Sequence, residues 1–332
     1  MSAVPALRLK AGDVAPSLVL PLLVAAALPA MSFSTWLTLT VAGVAMGMML
    51  FLMASGLTLI FGLMDVLNFA HGAFITLGAY VAVSVLAGLA GWTAAESWLL
   101  NLAALGVAIL VATVASGALG YVFERVIIMR VYGAHLRQIL ITVGGLIIAE
   151  QLVVVFWGPN PLPLPKPASF RGSLILGGAA IEKYRLIAVV LGIAVYAALH
   201  LLLNRTRIGL LIRAGVENRE MVEALGYRIR LLFIGVFVAG TALAGIGGVM
   251  WGIYQELVTR AIGPDMMILA FIIVIIGGLG SVGGCFVGAL LVGLLTNYTG
   301  FLAPKLALGS NILLMAAILL WRPRGLFPMA KE

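Results

Sequence analysis

Three polar side chains stand close together in an otherwise apolar stretch: Asp65, Asn68 and His71 in MDVLNFAHGAFITLGAY, residues 64–80. A carboxylate, a carboxamide and an imidazole at this spacing can cap a broken helix, line a polar path or relay a proton. A metal site needs more ligands than these. His135 and His200 lie in other segments and Cys285 is the sole cysteine. Neither a metal centre, a cofactor nor an internal disulfide is therefore expected. The plainer role is that Asp65 or Asn68 caps a helix, its side chain accepting from free backbone N–H groups. His71 then bonds to nearby backbone. The functional role is a non-helical segment lining a water-filled cavity, because irregular backbone at membrane depth survives only there or inside protein. A structural break beside a translocation path is the favoured reading.

Catalytic constellations are missing elsewhere in the sequence. None of the lysines, Lys10, Lys166, Lys183, Lys305 and Lys331, lies in a G-x-x-x-x-G-K-[ST] loop, so the chain is not expected to hydrolyse ATP. No H-E-x-x-H or G-x-S-x-G pattern occurs, so hydrolase chemistry has no support and the chain is not read as an enzyme.

Composition says what must position these residues. Of 332 residues, 63% are hydrophobic and 10% charged, with a mean hydropathy of +1.18. A soluble domain carries about 25% charged residues. Residues 14–64 contain no charge at all, and one bilayer crossing takes about 20 apolar residues. The expected fold is an all-α polytopic membrane protein with eight to ten spans. They are placed at residues 15–31, 36–63, 72–90, 98–123, 136–157, 186–203, 231–254, 266–276, 285–301 and 309–321, the first and eighth being weakest. Arg8 and Lys10 precede the first apolar run as in a signal peptide, but that run is read as an uncleaved span. The prolines of GPNPLPLPKPASFRG, residues 158–172, exclude a continued fifth helix.

The net charge of +8 fits membrane-flanking loops better than nucleic acid. With ten spans, 14 of the 20 basic residues fall on one side: Arg8, Lys10, Arg125, Arg130, Arg137, the six arginines of residues 205–230, Arg322, Arg324 and Lys331. The positive-inside rule puts that side, and both termini, in the cytoplasm. A single transmembrane domain is read, with halves at 14–204 and 231–328 and a cytoplasmic loop at 205–230.

Glycine is patterned as well as abundant. Gly277, Gly278, Gly280, Ser281 and Gly283 fall in GGLGSVGG, denser than helix packing requires, and suggest a hinge or helix break by the central path. The second and seventh spans look weakly alike and would cross in opposite senses, as in an inverted repeat. Glu150, beside Gln151, is the one carboxylate read well inside a span; it is either functional or bonded to a neighbouring helix. So few intramembrane acids speak against an ion-coupled carrier. In the loop, Met221, Val222 and Leu225 alternate with Glu217, Glu220 and Glu223, and Gly226 follows. A short amphipathic helix is expected, with Gly226 as its C-terminal cap and Glu217 and Glu220 near its N-terminus. A basic loop lying on anionic lipid is the alternative.

Four stretches carry a resemblance: GLTLIFGLMDVLNFAHGAFITLGAY (56–80), RAGVENREMVEALGYRIRLLFIGVFVAGTALAGIGGVMWG (213–252), IGGLGSVGGCFVGALLVGLL (276–295) and RPRGLFP (322–328). In this order they resemble permease subunits of bacterial ABC importers for branched-chain amino acids, specifically the subunit that carries NFAHG. The match spans residues 39–328. The sequence departs in an extra N-terminal span and in Val222, where the family more often has alanine. The resemblance implies a second homologous permease, two cytoplasmic ATPase subunits, a periplasmic solute-binding protein and an inner-membrane location. It makes the loop helix a coupling helix that docks in an ATPase groove. Importers for urea, short amides or other amino acids share the pattern, and an ion-coupled carrier is the reading from another class.

Overall fold

The computed structural model describes residues 11–328, so Arg8, Lys10 and Lys331 of the charge count lie outside the described residues. The chain runs α1 (Ala11–Ala27), α2 (Phe33–Met64), α3 (His71–Gly88), α4 (Ala90–Ala94), α5 (Trp98–Val126), α6 (His135–Trp157), β1 (Leu162–Pro163), β2 (Ser173–Leu176) and β3 (Ala179–Glu182). It continues through α7 (Lys183–Arg205), α8 (Arg207–Glu217), α9 (Arg219–Ala224), α10 (Ile229–Gln255), β4 (Leu257–Val258), α11 (Ile262–Gly277), α12 (Val282–Leu302) and α13 (Ala307–Trp321). Every expected span is a helix. Among the described residues, seven helices are long and apolar enough to cross a membrane, and three further apolar helices are shorter. The shorter ones include α13 as well as α1 and α11, so the last span belongs with the two expected to be weakest.

α2 is the central pillar. Ser32 starts it by accepting from the Thr35 N–H, and no charge interrupts its 32 residues. Most of its length is buried on all sides, as expected of a helix that is apolar all round. It packs on α12 and α10 through glycine. Gly43 and Gly47 lie against the backbone of Leu294 and Ala289, and Gly56 against the Gly240 carbonyl. α3 meets α10 at Gly78 and Gly245, and α5 meets it where Gly120 presses on Thr241. Small residues permit such backbone-to-backbone approach between membrane helices.

Two helix breaks share one register. Asp65 (φ 54°) and Glu256 (φ 57°) are the non-glycine residues with positive φ among the described residues. Each follows the last residue of a long helix, α2 or α10. In each case a glycine stands seven positions on, Gly72 and Gly263, as the second residue of the next helix. A left-handed non-glycine residue costs roughly 1–2 kcal/mol, so its recurrence at the same register marks a repeated device. The carbonyl of Gly263 would meet a β-carbon on Gly72 at 2.9 Å, and the rings of Phe69 and Phe271 lie 4.9 Å apart. α3 and α11 thus approach closely where each begins, at Gly72 and Gly263.

The proline-rich segment folds into a cap. β1 pairs antiparallel with β4, Leu162 opposite Val258, and β2 pairs with β3. The buried Lys166 ammonium lies 2.6 Å from a Glu182 carboxylate oxygen and 2.9 Å from one of Glu256. Burial alone would lower the lysine pKa, but bonds to Glu182 and Glu256 outweigh it and hold the pKa above its ordinary value. Arg185 adds a 3.2 Å contact to Glu182. The cap therefore ties the loop after α6 to the end of α10.

Candidate translocation site

The break between α2 and α3 is built mainly by backbone. The Asp65 N–H donates to the Phe61 carbonyl at 3.0 Å, and the His71 N–H to the Asn68 carbonyl at 3.2 Å. The Asp65 carboxylate is exposed, 3.6 Å from His135 Nε2. It ends α2 and does not cap α3. The N-cap of α3 is Ala70, with no side-chain cap bond. Capping by the Asp65 or Asn68 side chain is therefore corrected: the Asn68 and Ala70 carbonyls already accept from the first turn of α3.

Asn68 is fully buried, and neither its Oδ1 nor its Nδ2 has a partner among the described residues. The His71 ring is also fully buried. Its Nε2 lies 2.9 Å from the Met53 carbonyl, which can only accept, so Nε2 donates. Nδ1 has no partner among the described residues. One carboxamide and one imidazole edge are therefore buried without partners within four residues at the head of α3. They offer a donor and acceptors to a hydrogen-bonding solute or to water.

Three residues that sequence reading missed hold this segment. On α6, Gln138 Oε1 accepts from the Leu67 N–H at 3.4 Å, and Thr142 Oγ1 accepts from the Phe69 N–H at 3.1 Å. The Tyr132 hydroxyl donates to the Met64 carbonyl at 2.8 Å. Gln138 and Thr142 stand four apart on one helix face, and that spacing of polar residues in an apolar span is the signal that was available.

GGLGSVGG is a helix break as well. α11 ends at Gly277; Gly278 (φ 99°) and Gly280 (φ 80°) turn the chain. Ser281 then starts α12, its Oγ accepting from the Gly284 N–H at 3.0 Å. The view that the glycines exceed packing needs is corrected: Gly277 lies on Gly284 backbone and Gly280 on Gly62. Gly283 differs, with only the Tyr196 hydroxyl nearby, at 3.9 Å from the position of a β-carbon. The RPRGLFP segment completes the turn. The Leu326 and Phe327 N–H groups donate to the Ile276 and Gly277 carbonyls at 2.9 and 3.0 Å, which would otherwise be orphaned at the end of α11.

The loop holds two helices where one was expected. α8 ends at Glu217, which corrects its assignment to the start of the following helix. Asn218 caps α9, accepting from the Met221 N–H at 2.9 Å, and Glu220 lies in the first turn. At the other end, Gly226 (φ 86°) donates to the Glu223 carbonyl and Tyr227 to that of Val222. This paired pattern is the Schellman closure. Val222 is buried and belongs to the chain's own core, so it is not available to a partner. The reason is helical phase: Met221 and Leu225 are four apart and point outward, 60% and 70% exposed, while Val222 is rotated inward, 4% exposed.

Glu150 is half-buried and Gln151 exposed on α6. Neither side chain has a hydrogen bond to another described residue, so the expected bond to a neighbouring helix is not formed. A second acid near the membrane was missed: Glu124 lies just beyond the expected end of the fourth span. α5 continues to Val126 and buries it to 4% exposure.

A family model described as the permease component of branched-chain amino acid transport systems matches residues 39–321. The chain is 28% identical over 291 residues to the high-affinity branched-chain amino acid transport system permease protein LivH of Salmonella typhimurium, covering 86% of this chain and 92% of that one. It is 29% identical to the corresponding protein BraD of Pseudomonas aeruginosa over 293 residues, 86% of this chain and 93% of the other. Against the permease protein LivM of Escherichia coli it is 26% identical over 316 residues, 86% of this chain and 69% of that one. No solved structure matches. With the family match extending over most of its length, this multi-pass chain belongs to the permease component family of branched-chain amino acid transport systems.

Proposed function

We propose that the chain is one permease subunit of an ATP-driven importer that moves branched-chain amino acids across a bacterial inner membrane by alternating access. The observation that carries this reading is the head of α3, where Asn68 and His71 present unpartnered polar atoms within an apolar core. Buried polar groups without partners cost about 1–3 kcal/mol each, and in transporters such broken helices line the substrate path. The breaks at residues 65–70, 256–261 and 278–281 give that path its moving parts.

Energy comes from two cytoplasmic ATPase subunits, since the chain has no P-loop of its own. Met221 on α9 and Leu225 at its C-terminal cap enter the ATPase groove, with the exposed Glu217 and Glu220 beside them and Gly226 closing the helix. A second permease completes the pathway; the relatives include both LivH-named and LivM-named proteins. A periplasmic binding protein delivers substrate to the capped side. Both termini face the cytoplasm, and the two halves, 14–204 and 231–328, flank the coupling loop at 205–230. Substrate class is tested by ATP-dependent uptake in proteoliposomes with competing solutes. Leucine, isoleucine and valine should compete with one another. Competition by urea or short amides alone refutes the assignment.

A further inference from the structure

A cavity of about 210 Å³ opens between the end of α5, the turn that follows it and the start of α10, where Arg125 and Arg230 stand. Glu124, Met129, Tyr132, Arg230 and Phe233 line it. At ~30 Å³ per water it holds roughly seven waters, or one molecule of leucine's size. Farther along the same helices, Gly120 is pressed onto Thr241 and Gly245 onto Ser116, which locks α5 to α10.

Glu124 is 4% exposed, and its Oε2 has no hydrogen-bond partner among the described residues. Nor does it form an ion pair with Arg230 among them, although both line the cavity. Arg230 is exposed at the mouth and rests on the Met129 sulfur. A buried carboxylate is costly unless paired. An isolated cation would satisfy Glu124 but be repelled by the arginine, and an anion would face the reverse. A zwitterion suits both.

We propose that this cavity is a second amino-acid site, off the translocation path. Glu124 receives the α-ammonium and Arg230 the α-carboxylate. Met129, Tyr132 and Phe233 enclose an aliphatic side chain. The site is coupled to the path through Tyr132: its ring stacks on Phe233, with centroids 6.3 Å apart, and its hydroxyl holds the Met64 carbonyl beside the α2–α3 break. An amino acid in the cavity braces that wall. The import reading supplies only its sidedness, a cytoplasmic site that senses imported product; binding itself is independent of that reading. A phosphatidylethanolamine headgroup carries the same two charges, so lipid composition is one arm of the test.

The test is equilibrium binding of radiolabelled L-leucine to the full chain in nanodiscs of phosphatidylglycerol, without ATPase or binding protein. Wild type should bind saturably. Glu124→Gln and Arg230→Gln should each weaken binding by about tenfold or more, the effect of losing one charge-assisted hydrogen bond. 4-Methylpentanoate, without the ammonium, and 3-methylbutylamine, without the carboxylate, should compete poorly. Arg230 is exposed, so its variant keeps the test open if Glu124→Gln misfolds. Leucine binding that both variants leave unchanged, or absent in wild type, overturns the proposal. So does loss of leucine binding when phosphatidylethanolamine is present, since the headgroup would then own the site.

Discussion

Replacing Asn68 by leucine separates a path residue from a structural one. Asn68 buries two polar atoms that have no partner among the described residues. At ~1–3 kcal/mol each, a dry carboxamide penalises this arrangement by roughly 2–6 kcal/mol. Leucine keeps the branching and removes the penalty, while its extra bulk costs about 1–3 kcal/mol. The balance runs from about 1 kcal/mol against to about 5 kcal/mol in favour of Asn68→Leu, centred on a gain of about 2 kcal/mol. Thermal unfolding in detergent should therefore show a midpoint at or above that of wild type. Transport should fall by about tenfold, since the passing solute loses a hydrogen-bonding partner. Stability gained at the expense of activity is the expected signature of a functional site. Two results refute the reasoning: wild-type transport by Asn68→Leu, or a clear drop in its unfolding midpoint, which would make Asn68 structural.

Other positions give sharper contrasts. Leu225→Asp should leave the permease inserted but uncouple or release the ATPases, because an unpaired charge in a desolvated contact costs several kcal/mol. Val222→Asp, at a 4% exposed position of the same helix, should instead lower the yield of folded permease; a pull-down with an expression assay distinguishes them. Lys166→Met leaves Glu182 and Glu256 without their ammonium. Breaking a buried pair costs about 3–5 kcal/mol, here reduced to roughly 1–3 kcal/mol because the Glu256 side chain is 53% exposed, and a lower unfolding temperature should report it. The Lys166 pKa is raised on folding, so its stabilisation is complete below the ordinary lysine pKa and is lost as pH rises through the elevated one. The difference between wild type and Lys166→Met should then persist at neutral pH and shrink only in strong alkali. Cysteines at Ile175 and Arg205 should label from opposite faces of the membrane with impermeant maleimide, Ile175 from the periplasm, and the buried native Cys285 should stay silent; labelling from one face would contradict the span count.

Spans were legible because membrane helices satisfy their own backbone, and apolar length alone reveals them. The α9 cap was legible too, Gly226 being the residue type a left-handed closure selects. Phase around that helix was not: a short run lists Met221, Val222 and Leu225 as one apolar face, and only packing on the rest of the chain shows Val222 turned inward. The α2–α3 break could be placed at Asn68, but its support comes from Gln138 and Thr142, some 70 positions away. Glu124 was passed over because a boundary was drawn one residue before it, where hydropathy fades faster than the helix does. The shared register of Asp65 with Gly72 and Glu256 with Gly263 is visible in the sequence only after the two positive-φ residues point to it.

The central claim is that ATP, transmitted through α9, drives movement of substrate through this permease. The direct measurement is uptake of radiolabelled leucine into proteoliposomes holding this chain, its partner permease and the ATPases, with loaded binding protein on the outside and ATP within. Uptake should require ATP and binding protein, resist ionophores that dissipate ion gradients, and be lost in Leu225→Asp. Uptake by the purified chain alone, driven by an imposed ion gradient with no ATPase present, would contradict it.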